Sequence, residues 1–82
     1  MAPQYFYTTV EVQKRLDGTY SVLWDNFYEE EDKKPAQARA EAKYHAICTE
    51  AALSDIPYHA AYILRSDGAT TLVSIYDRRP DE

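Results

Sequence analysis

The chain has 82 residues, a formal net charge of -5, 45% hydrophobic and 13% aromatic residues, and one cysteine, Cys48. That length suits one domain, residues 1–82, on a single sheet-and-helix core, and the apolar content is too high for a disordered chain. A lone cysteine excludes an internal disulfide framework, and the acidic balance opposes nucleic acid, whose binding depends on clustered Lys and Arg releasing counterions.

The first segment, "MAPQYFYTTV", has no basic start followed by a long apolar run. No window approaches the roughly 18 apolar residues of a membrane span, so the expectation is a cytoplasmic protein without a membrane partner. The Asp-Gly pair in "RLDGTY" marks the tip of a β-hairpin over about residues 4–28. A three-residue loop, Leu16 to Gly18 with Gly18 left-handed, sets Val12 opposite Val22 and Val10 opposite Trp24. Phe6, Val10, Val12, Val22, Trp24 and Tyr28 then share one face and Tyr7, Thr9, Glu11, Gln13, Ser21, Asp25 and Phe27 the other. Hydrophobic alternation assigns the first set to the core.

An acidic run, Glu29, Glu30, Glu31 and Asp32, leads to a segment rich in Ala, Glu, Lys and Gln that predicts a helix over about 34–53, with Pro35 in its first turn. The run suits the positive end of the helix dipole. The stripe Ala36, Ala40, Tyr44, Ile47, Cys48 and Ala51 forms its apolar side.

A second Asp-Gly pair, in "RSDGAT", predicts a hairpin over about 58–77. With the same three-residue turn, His59, Ala61, Ile63, Val73 and Ile75 share one face, and Tyr58, Tyr62, Leu64, Leu72 and Tyr76 the other. The order hairpin, helix, hairpin gives an α+β class, ββαββ: a four-stranded antiparallel or mixed sheet of two hairpins with one helix across one face. One helix covers only one face. The expectation is therefore an exposed protein-binding surface made by Tyr5, Tyr7, Phe27, Tyr58, Tyr62, Leu64, Leu72 and Tyr76, with a homodimer or small homo-oligomer as the result.

Chemistry is sparsely signalled. His45, Cys48 and His59 are candidate metal or small-ligand residues, but a structural zinc site brings four ligands in recognisable pairs, so no metal and no cofactor are expected. Cys48 falls on the buried stripe, and no HExxH, P-loop or dinucleotide fingerprint is present, which points away from an enzyme. Asp77, Arg78 and Arg79 read as exposed charges that end the last strand. Glu29 to Asp32 support an alternative, an acidic inhibitor of the anti-defence kind that presents carboxylates in place of phosphates.

The helix motif A-x-x-x-YH-x-I, followed by "S-x-IPYHAAYILRSDG" and a closing strand, resembles small uncharacterised hairpin-helix-hairpin proteins encoded among phage and prophage structural genes, over residues 5–79. The resemblance implies a small accessory or assembly protein, cytoplasmic in the host cell if phage-encoded.

Overall fold

The computed structural model describes residues 5–79; residues 1–4 and 80–82 of the expected domain, including the start of its first hairpin, lie outside the described residues. Four eight-residue strands, β1 (Tyr7–Lys14), β2 (Tyr20–Phe27), β3 (Tyr58–Arg65) and β4 (Thr70–Asp77), form one sheet in the order β2-β1-β3-β4. Every neighbouring pair is antiparallel. Helix α1 (Ala36–Leu53) packs across one face, completing the expected ββαββ arrangement. Because β2 and β3 run in the same direction with β1 between them, α1 carries the chain from a sheet edge to the sheet centre. At 1.5 Å per helical residue and about 3.3 Å per strand residue, helix and strands are both roughly 26 Å long, so α1 spans the sheet from end to end.

Both turns are three-residue loops. The Arg15 N–H donates to Thr19 O and the Gly18 N–H to Arg15 O; Arg65, Ala69 and Gly68 repeat the pattern. Gly18 and Gly68 have φ of 89° and 94°, the left-handed region that a bulged hairpin turn requires. The first hairpin has the expected register, Val10 opposite Trp24 and Val12 opposite Val22.

The second hairpin departs from its expected register at one point. Leu64 pairs with Thr70, but Ile63 pairs with Leu72, so Thr71 is an extra residue in a β-bulge. A slip of one residue turns every following side chain to the opposite face. Leu72, Ser74 and Tyr76 therefore join His59, Ala61 and Ile63 beneath the helix, while Val73 and Ile75 face away from it.

The faces of the first hairpin are also the reverse of the hydropathy reading. Tyr7, Thr9 and Glu11 are buried beneath α1, and Phe6, Val22, Trp24 and Tyr28, expected in the core, stand exposed on the other side. Alternation within one strand favours the valine face as core. What it cannot register is that a glutamate on one strand and a histidine far along the chain hydrogen-bond to one another once both are buried.

The helix stripe is as expected: Ala36, Ala40, Tyr44, Ile47 and Ala51 are buried, with Cys48 partly buried beside them. The alanines let α1 lie close over Ala61, while Tyr44, Ile47, Tyr7 and Ile63 fill the core. The Tyr44 hydroxyl makes a short hydrogen bond with Ser74 Oγ, fixing α1 to β4. Burial pushes the Tyr44 phenol above its ordinary value, and this bond opposes the shift. The helix ends are held by distant side chains: Glu29 Oε1 accepts from the Ala36 N–H at 3.2 Å, and Arg78 Nη2 donates to the Ala51 and Ala52 carbonyls at 2.8 and 3.2 Å.

Candidate functional site

The face of the sheet away from the helix exposes Phe6, Val22, Trp24, Tyr28, Val73 and Ile75 together. Strand pairing sets its side chains in rows. Val22, Val12, Ala60 and Ile75 form one central row; Trp24, Val10, Tyr62 and Val73 form the next. Both are wholly apolar apart from one phenol. Tyr20, Lys14, Tyr58 and Asp77 flank them on one side, and Asn26, Thr8, Leu64 and Thr70 on the other. Trp24 is 66% exposed and Ile75 56%, whereas Ala60 between them is fully covered.

The polar margins of this face are tied down locally. Thr8 Oγ1 donates to Asn26 Oδ1 at 2.7 Å, the Lys14 ammonium lies 5.2 Å from the Tyr20 ring centre, and the Arg79 guanidinium lies 4.9 Å from that of Tyr58. Burial pushes the Tyr62 phenol above its ordinary value, and hydrogen bonding with Tyr58 adds to the shift. At the far end the Phe6 and Tyr28 rings meet at 5.2 Å between centres.

On the helix side, Glu11 and His59 form a buried polar pair. His59 Nε2 lies 2.5 Å from Glu11 Oε2, and Gln13 Nε2 donates to the same oxygen at 3.1 Å. Thr9 Oγ1 and His59 Nδ1 are buried without a hydrogen-bond partner among the described residues. A cleft of about 210 Å³ opens beside the pair, between α1 and β2, lined by Thr9, Glu11, Leu23, Asp25, Lys43 and Ile47. Lys43 and Asp25 face each other at its rim, 3.7 Å apart. The cleft exists because α1 packs mainly over the two central strands and reaches β2 only at its margin, leaving Leu23 58% exposed.

The residues singled out from the sequence are divided between these surfaces. Tyr58, Tyr62 and Leu64 are on the open face as expected. Tyr7 is in the core, with Tyr5, Phe27 and Leu72 packed against it, and Tyr76 pairs with His59 on the helix side, so these five do not belong to the open surface. Phe6, Tyr20, Val22, Trp24, Tyr28, Val73 and Ile75 take their place. The signal that would have found Val73 and Ile75 is the bulge at Thr71, which leaves no mark in hydropathy.

His45 is exposed and Cys48 half-buried, while His59 turns to Glu11. Among the described residues, no three His, Cys, Asp or Glu side chains converge as metal ligands. In the acidic run, Glu29 is engaged at the helix N-terminus and Glu30 pairs with Lys33 at 2.8 Å, leaving Glu31 and Asp32 exposed. Asp77 pairs with Arg79, but Arg78, expected to be a free surface charge, closes the helix C-terminus. No helix among the described residues is long and apolar enough to cross a membrane.

Comparison with protein-family models, with curated proteins and with solved structures found no match to this chain. Architecture alone defines its class: a small α+β protein whose antiparallel sheet is backed by one helix and apolar on its open side.

Proposed function

We propose that this is a non-enzymatic assembly protein that associates with a second copy of itself through the open face of its sheet. One observation carries the reading: the open face holds more large apolar side chains, among them Phe6, Val22, Trp24, Tyr28, Val73 and Ile75, than the four buried under the helix, Tyr7, Tyr44, Ile47 and Ile63. Large aromatic side chains bring roughly 150–250 Å² each, so this face, with its side chains about half uncovered, offers on the order of 700 Å². A monomer's largest apolar patch is about 300–600 Å², and a standard interface takes about 800 Å² per partner.

Two apolar rows between two more polar ones reproduce the core-and-rim anatomy of an interface. A second copy is the partner that this surface fits. Packing sheet on sheet, about 10 Å apart, covers the flat apolar faces of both chains at once. An accessory or assembly role is also what the resemblance to phage-encoded proteins implies.

Light scattering across a concentration series, in low and high salt, tests the reading. A stable assembly in both salts is expected, because apolar contacts are not screened. Ile75→Lys should keep the helix content and lower the mass. A wild-type monomer at every concentration would refute self-association.

A further inference from the structure

We infer that the outer edge of β2 pairs antiparallel with β2 of a second copy about a two-fold axis at Leu23, joining two sheets into one of eight strands. The inference rests on the proposed assembly role but uses a different surface.

The sheet has two edge strands, and they are not alike. The edge formed by β4 is interrupted by the bulge at Thr71, a common guard against edge-to-edge pairing. The β2 sequence, YSVLWDNF, has no proline, no lysine and a continuous register with β1. Its composition is that of an interior strand, yet its side chains are uncovered on both faces, Val22 and Trp24 on one and Leu23 on the other. A long, regular, apolar edge is a template for another strand.

The turn bonds fix which backbone groups are free. Arg15 bonds to Thr19 across the hairpin, so the hydrogen-bonded pairs continue at alternate positions, and Ser21, Leu23 and Asp25 face β1 with both N–H and C=O. Tyr20, Val22, Trp24 and Asn26 point theirs outward. A two-fold axis at Leu23 sets Val22 against the partner's Trp24 and Tyr20 against the partner's Asn26, and satisfies all of these groups.

Side chains agree with that register. Val22 and Trp24 make aromatic to β-branched pairs on the open face, and Leu23, more than half exposed, meets its symmetry mate on the helix side. Asp25, the one charge in the strand, falls opposite the partner's Ser21. Arg15 already donates to Ser21 Oγ at 3.1 Å, so its guanidinium stands close to the partner's Asp25. Moving the axis to Trp24 would set Leu23 against a carboxylate and Val22 against an asparagine. Edge pairing also joins two open faces into one continuous surface, so both contacts together give a four-chain sandwich of two eight-stranded sheets.

The test is solution mass for four proteins, with circular dichroism as the check on folding. Wild type should be a tetramer, Leu23→Lys a dimer, Ile75→Lys a dimer, and the double variant a monomer. Leu23 is more than half exposed and off the open face, so its substitution leaves the face-to-face contact in place. A mass unchanged by Leu23→Lys would overturn the edge pairing. If Leu23→Lys halves the mass while Ile75→Lys has no effect, the edge pairing stands and the face-to-face reading falls. Amide exchange on wild type gives an independent readout: Val22 and Trp24 N–H should be protected as well as Leu23 N–H and lose that protection in Leu23→Lys. Fast exchange at Val22 and Trp24 in the wild type would also overturn the pairing.

Discussion

His59 Nε2 rests 2.5 Å from Glu11 Oε2, joining two central strands through residues 48 apart in the chain. Both side chains are buried beneath the helix, so each is the other's replacement for water. Breaking a buried pair by removing one partner leaves the other uncompensated and costs about 3 kcal/mol or more, whereas replacing both with apolar groups is often neutral. Glu11→Leu should lower stability by about 3 kcal/mol, and adding His59→Leu should restore most of the loss. Urea unfolding of the double-mutant cycle measures this; additive losses would show that the two side chains act independently.

The bulge makes an unusual deletion tolerable. Removing Thr71 leaves Leu64 opposite Thr70 and Ile63 opposite Leu72, so every later residue of β4 keeps its face. The side chain removed makes one hydrogen bond, 3.4 Å from Thr71 Oγ1 to Ile63 O. Stability should change by less than about 1 kcal/mol. In a strand without the bulge, the same deletion would turn Leu72, Ser74 and Tyr76 out to solvent, and the urea midpoint would collapse.

At the start of the helix, the acidic residues are not equivalent. Pro35 offers no side-chain cap, and Glu29 supplies the missing acceptor from seven residues upstream. Glu29→Ala should cost about 1 kcal/mol, the usual worth of an N-terminal cap. Glu30→Ala and Glu31→Ala should leave the melting temperature nearly unchanged, since both side chains are solvent-exposed.

Two aspartates should report their partners in acid. The Arg65 guanidinium, with help from the Ala69 N–H, holds the Asp67 carboxyl at about 2, below its ordinary 3.8; the Arg79 side chain and N–H do the same for Asp77. A lowered folded-state value means that their contribution is present above 3.8 and fades as the pH falls toward 2. Carboxyl carbon shifts should titrate with midpoints near 2, and Arg65→Gln and Arg79→Gln should return them toward 3.8. Both pairs are exposed, so high salt should narrow the difference.

Local chemistry was the legible part of the sequence. The Asp-Gly tips, the alanine-rich helix with its stripe from Ala36 to Ala51, and the register of the first hairpin all follow from residues close in the chain. The face assignment depended on distant ones. Glu11 reads as a solvent residue until His59 is beside it, and Val73 and Ile75 read as core until Thr71 shifts the register. Tyr7 was expected on the open face for the same reason, since its burial depends on Ile63 and the helix rather than on its strand neighbours.

The alternation along β1 separates two kinds of mutational target. Tyr7, Thr9 and Glu11 answer to the chain's own folding; Thr8, Val10 and Val12, interleaved with them, face away from the helix. Substitutions in the second group change the exposed face while the first group goes on specifying the fold. Neighbouring positions in one short stretch of chain therefore carry separate constraints, and the outer surface is open to redesign without the scaffold having to be rebuilt.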